Sequence, residues 1–126
     1  MKDVRFEFYI GDTYSRDFTI DGYSEPIDNV FLTIKKEDDD KDFLLQYELD
    51  NGITLTDIVY DEDGTTILSR TYNILIGAND TESLKPDTEY PMDVEIITIK
   101  DGISIKKTII KGVLLLDSAT TRAWDE

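Results

Sequence analysis

The stretch Tyr90-Pro-Met-Asp-Val-Glu-Ile-Ile-Thr-Ile-Lys-Asp-Gly-Ile-Ser-Ile-Lys-Lys-Thr-Ile-Ile-Lys111 reads as a β-hairpin. Two runs rich in β-branched residues, Tyr90–Lys100 and Ile103–Lys111, flank Asp101-Gly102. That dipeptide suits a two-residue type I′ turn, because both central positions need a positive φ. The turn fixes a register: Lys100 opposite Ile103, Thr98 opposite Ile105, Val94 opposite Ile109 and Met92 opposite Lys111. Tyr90, Met92, Val94 and Ile96 then share a core face with Ile103, Ile105 and Ile109. The other face carries Asp93 and Glu95, but also Ile97, Ile99 and Ile110, so a loop, a terminus or a neighbour has to cover it. Gly112 reads as a bulge or tight bend before Val113–Leu116.

Outward from this hairpin the same period of two recurs. Val4, Phe6, Phe8 and Ile10 alternate with polar partners, and after Gly11-Asp12 the residues Tyr14, Arg16, Phe18 and Ile20 continue the pattern. Arg16 is the exception on that apolar face, where its stem can snorkel. Val30–Lys35, Phe43–Leu49, Ile53–Tyr60 and Ile67–Ile76 complete a set of about eight strands. They are separated by Asp21-Gly22, a loop at 23–29, the acidic run Glu37–Asp40, Asn51-Gly52 and the turn Asp61-Glu62-Asp63-Gly64. Asn79-Asp80-Thr81-Glu82 resembles a capping box, with Asn79, Asp80 or Thr81 as the cap, and Pro86 leaves room for about one helical turn. Trp124 stands too near the end of the chain to be central to the core, so it docks back on the body or meets a partner.

Composition agrees. Isoleucine, valine and threonine make up 35 of 126 residues, and alanine only three. The expected fold is all-β: an immunoglobulin-like β-sandwich of two antiparallel sheets with one short helical crossover, spanning residues 1–126 as one domain. A small barrel is the alternative.

The chain has no cysteine and no histidine. That excludes thiolate nucleophiles, sulfur-based zinc sites, imidazole bases and Ser-His-Asp relays. Its formal charge of -15 disfavours nucleic acid and anionic membranes. No apolar stretch approaches the length of a bilayer span, and the alternating start, Met1 to Asp12, is unlike a signal peptide. The charge is uneven: residues 1–63 hold 18 acids and 6 bases, residues 64–126 hold 10 and 7.

What remains for chemistry is carboxylates. A glycosidase-like pair needs a groove that sequence cannot place, and no Asp-Thr-Gly triplet occurs. Asp38, Asp39, Asp40 and Asp42 form one cluster, and Asp61, Glu62 and Asp63 another. Neither has the spaced ligands of an EF-hand, so both read as solvated loops, with a structural cation as the alternative. Phosphate-cradling loops are absent. Lys100, Lys106, Lys107 and Lys111 cluster on the hairpin without sharing one face. We therefore assign no catalytic, cofactor-binding or metal-ligating residue.

Several stretches together resemble small β-sandwich domains of structural proteins from tailed bacteriophages and prophages, including N-terminal modules of baseplate or tail components. They are Phe6–Thr13, Asn79–Leu84, Pro86–Tyr90 with Asp93-Val94, Gly112–Leu116 and Thr120-Thr121-Arg122. Where such domains commonly read Tyr-x-Tyr/Trp-Asp, this chain has Tyr90-Pro-Met-Asp93. The resemblance implies a non-enzymatic structural role in a tail, baseplate or head-to-tail assembly, in a virion or in the host cytoplasm during assembly. It implies other phage structural proteins or further copies of the chain as partners, with no nucleic acid, membrane, small-molecule substrate or cofactor. A general binding or adhesion module, including a carbohydrate-binding one, is the alternative.

Overall fold

The computed structural model describes residues 2–37 and 39–118. Asp38, Trp124 and the stretch Thr120–Arg122 lie outside them. Eight strands follow in chain order: β1 (Lys2–Tyr9), β2 (Tyr14–Asp21), β3 (Asn29–Ile34), β4 (Leu45–Leu49), β5 (Gly52–Tyr60), β6 (Ile67–Ile76), β7 (Thr88–Lys100) and β8 (Ile103–Asp117). One 3₁₀ turn, Ala78–Asp80, joins β6 to the chain leading into β7. Its cap differs from the expectation: Gly77 stands at the N-cap, and Asp80 reaches back to accept the Gly77 N–H at 3.0 Å.

The protein is all-β. Hydrogen bonding links the eight strands into one mixed sheet of order β1-β8-β7-β3-β4-β5-β6-β2, nearly closed into a barrel. The expectation of two antiparallel sheets misses this continuity and its two parallel junctions. β1 runs parallel to β8 from Lys2↔Ile110 to Tyr9↔Asp117. No tight turn joins those strands, so no local signal sets their direction. β4 and β5 run parallel over only Glu48↔Gly52 and Leu49↔Ile53. The chain coils once between them, with Asp50 at φ 67° and Gly52 at φ 98°. At Gly52 a Cβ would also lie 2.6 Å from Tyr47 Cδ1, so glycine is required twice over.

The core is a single cluster filling the inside of the curl. Phe6, Phe18, Tyr72, Leu32, Ile74, Val94, Ile96 and Leu114 are among its buried members. Phe18 and Tyr72, opposite each other on β2 and β6, stack at 5.6 Å.

The final hairpin turns as its sequence dictates. Asp101 and Gly102 have φ 54° and 78°, and Lys100↔Ile103 and Thr98↔Ile105 pair. Further from the turn the register shifts. Glu95 faces Thr108 but Val94 faces Ile110, so Ile109 is an inserted bulge residue and Met92 meets Gly112, not Lys111. The bulge therefore sits at Ile109, and β8 runs unbroken through Gly112. The shift makes Ile110, Leu114 and Leu116 core residues, and keeps Lys111 outside. Ile103 and Ile105, expected in the core, are exposed beyond the end of the filled interior. At Gly112 a Cβ would collide with the Val4 carbonyl oxygen, so β1 approaches β8 there as only glycine permits.

Candidate interaction surfaces

Both ends of the curl are stoppered by the chain's own loops. At one end Thr81 is fully buried and accepts the Gly11 N–H at 3.0 Å, while Tyr90 Oη accepts the Lys85 N–H at 2.8 Å. Tyr47 Oη donates to Asp80 at 2.8 Å. Burial first, and then this hydrogen bond to a carboxylate, push the Tyr47 hydroxyl well above the usual tyrosine range.

At the opposite end the loop between β2 and β3 is the stopper. Buried Arg70 donates from its two terminal nitrogens to the carbonyls of Tyr23 and Glu25, each at 2.7 Å. Thr98 Oγ1 donates to Pro26 O at 2.7 Å and lies 2.6 Å from Tyr23 Oη, and the Asp28 N–H reaches Ile97 O. The interior is thus committed to packing, and the functional candidates are on the surface.

Two hairpins reach past this second stopper. Arg70, opposite Ile58, and Thr98, opposite Ile105, mark its level, so residues 59–69 and 99–104 supply the projecting parts. The β7–β8 arm exposes Ile99, Ile103 and Ile105, at 55%, 65% and 46% of their surface. Its tip carries Lys100 and Asp101, while Lys106 and Lys107 stand below it, opposite Ile97 and Ile96. Lys100 lies 3.7 Å from Glu25, and Lys107 projects over the Tyr23 ring at 5.8 Å.

The β5–β6 arm is acidic. It exposes Val59, Tyr60 and Leu68, and holds Asp61, Glu62 and Asp63 with no lysine or arginine. Its tip is a tight turn in which Asp61 accepts the Thr65 and Thr66 N–H groups at 3.1 and 3.3 Å. These bonds, Thr66 foremost, hold the Asp61 carboxyl below its ordinary range. Asp61 thus organises the turn. Among the described residues no group of three or more acids is arranged to hold a metal ion.

The seam between β1 and β2 is the third feature. These strands are the two ends of the sheet, yet only four residues connect them, so they cannot separate at that end. Side chains close it: Phe8 stacks on Tyr14 at 4.3 Å, and Arg16 donates to Arg5 O and lies over the Phe6 ring at 5.1 Å. That is the snorkelling expected of Arg16. Away from the link the seam widens into an open groove of about 570 Å³ between Thr19–Tyr23 and Lys107–Ile110.

One carboxylate pairing does form. Asp117 sits beside Glu7 and Asp87; partial burial, and then the Glu7 carboxyl, raise its pKa. Asp87 is occupied as an acceptor from Ser118 Oγ and N–H at 2.7 and 3.3 Å. Arg5 bridges Glu7 and Glu89 at 3.3 and 3.0 Å. These groups tie β1 to the β7–β8 ladder. The acidic run expected to be a solvated loop closes on itself, the Glu37 N–H donating to the Asp40 carboxylate and the Asp40 N–H to the Glu37 carbonyl.

The hairpin lysines do not form one patch: Lys100 stands near the tip of the arm, Lys106 beside Phe31 and Gln46 on the wall of the barrel, Lys107 over the Tyr23 ring, and Lys111 further along β8. That both hairpins leave the same end was not apparent from the sequence, because it depends on the strand order. No family model, curated protein or solved structure matches the chain.

Proposed function

We propose that this protein works by association, as a non-enzymatic structural module of a phage or prophage particle in its tail, baseplate or head-to-tail region. The observation that carries the associative part is the β7–β8 arm, with three exposed isoleucines beyond the end of its own core. Isoleucines grouped on a projecting hairpin gain by being covered, and interface cores are built of such apolar groups ringed by polar ones. The particle context rests on the resemblance of the motif order to that of tailed-phage modules. On this reading β1-β8-β7-β3-β4 and β5-β6-β2 are counterparts of the two facing sheets of those sandwiches, joined through the narrow β4–β5 junction.

The carbohydrate-binding alternative asks for a groove lined with tyrosines. Five of the seven are engaged internally: Tyr14 and Tyr72 in ring stacking, Tyr23, Tyr47 and Tyr90 in hydrogen bonds.

The test is particle incorporation. Particles from the strain carrying the gene are purified by density gradient and quantified by mass spectrometry. The chain is expected at fixed stoichiometry, and Ile103→Asp with Ile105→Asp should lower its incorporation at least about tenfold, as loss of a central apolar contact does. Recovery of the wild-type chain only as free protein contradicts the proposal.

A further inference from the structure

The sheet is unpaired along one stretch of its seam. β8 begins at Ile103, but among the described residues β1 lies beside it only from Ile110 onward. Ile103–Ile109 therefore meet β7 on one edge and no strand on the other, apart from the bulge at Ile109. Among the described residues no loop bonds to that main chain either. Across the groove β2 pairs with β6 alone, so its edge at Thr19–Asp21 is open as well.

We propose that this open edge of β8 takes an extended acidic strand from a partner protein, laid in the line of β1 between β8 and β2. The inference rests on the association reading above and gives the chemistry of the partner segment. From Ile110 onward β1 already pairs along the same edge, so Ile103–Ile109 continue the row of main-chain donors and acceptors that it uses. An extended chain matches such a row, residue by residue, at the strand repeat of about 3.3 Å. The groove wall Lys107–Ile110 is four residues long, or ~13 Å of strand.

Side chains along the edge select the strand. The exposed Ile103 and Ile105 alternate with Ser104 and Lys106, so an added strand covers both isoleucines with one face and sets the other beside Lys106. Lys106 shares a small cavity with Glu95 but forms no ion pair among the described residues. Lys107 lies over the Tyr23 ring at the groove, and the acid lining it, Asp21, stands on the β2 wall. A second copy fits this edge poorly. Two copies paired antiparallel over the whole of Ile103–Ile109 set Lys106 directly against Lys106, and like charges so placed destabilise a ladder. The same lysine that disfavours self-pairing therefore favours a strand carrying acids. The net charge of -15 opposes an acidic strand mainly at long range, where repulsion is screened beyond about 8 Å at physiological ionic strength.

NMR titration of the isotopically labelled full chain with the peptide acetyl-Glu-Val-Glu-Ile-Glu-Val-Glu-amide tests this. The peptide is expected to bind with a Kd below ~1 mM, and to shift the amides of residues 103–109 and 19–23. The same peptide methylated on its main-chain nitrogens should not bind, because it has no donors for the ladder. A peptide with lysine in place of each glutamate should bind at least about tenfold more weakly, and Lys106→Glu should reverse that preference. Absence of shifts at ~1 mM, shifts confined to other surfaces, binding that survives methylation, or equal binding of the two charge types overturns the inference. If Lys106→Glu fails to unfold cooperatively, the peptide comparison on the wild type decides alone. Each of these outcomes leaves particle incorporation to its own test, and loss of incorporation with intact peptide binding would sink only the functional reading.

Discussion

Tyr47 shows how much of this molecule is held by single polar contacts at its ends. Its hydroxyl donates to Asp80, whose same oxygen accepts the Gly77 N–H, so one carboxylate fastens β4 to the turn after β6. Because the folded-state pKa of Tyr47 is raised above its unfolded value near 10, its contribution is fully present below that pH. It declines as the pH climbs from there through the folded pKa, since the unfolded chain then ionises and the folded one does not. Urea unfolding at pH 7 and pH 11 should show this. Tyr47→Phe is expected to lose about 1 kcal/mol at pH 7 with the hydrogen bond, and to lose less on going to pH 11 than the wild type. An equal alkaline loss in both proteins would place the sensitivity elsewhere. Nothing in the sequence joins Tyr47 to Asp80, 33 positions apart, and the capping pattern at Asn79–Glu82 suggests a cap at Asn79, Asp80 or Thr81, at least two residues after Gly77.

Hairpins were the most legible elements, and the reason is local. Asp101-Gly102 allows few turn geometries, and each residue adopts the positive φ that a type I′ turn needs. Gly102 has nothing within 4 Å of where a Cβ would be, so its requirement is purely conformational. Gly102→Ala should cost about 1 kcal/mol in thermal or chemical unfolding, with the registers of β7 and β8 retained in backbone chemical shifts. Gly112→Ala is a different case, because the added carbon meets the Val4 carbonyl and displaces β1. The register further from the turn was harder to read, since Ile109 and Ile110 are interchangeable in hydropathy. The signal that resolves them is Lys111: an unbroken register carries it onto the core face, and a one-residue bulge keeps it out. The same bulge is why Ile110, read as an outer residue, is buried.

At the scale of the whole molecule the sequence revealed strands without their closure. The β1–β8 pairing joins the first and last described strands with no turn to announce it, and the β4–β5 junction depends on the backbone coil at Asp50–Gly52. What closure accomplishes is to commit the interior to packing, with Arg70 and Thr81 fastening the stoppers at opposite ends. Arrangement also gives the two arms their meaning. As isolated sequence, Asp61–Asp63 is a solvated turn and Ile103 and Ile105 belong to a core face; folded, both hairpins project from one end of the barrel and expose apolar side chains there. The central claim is that this end is where the protein makes its contacts. Zero-length carbodiimide cross-linking of a mixture of isotopically light and heavy full-length chains tests it most directly. The account predicts intermolecular cross-links at this end, made by Lys100 or by Glu62 or Asp63 and identified by their mixed isotopic label; intermolecular links that map instead to the walls of the barrel would contradict it.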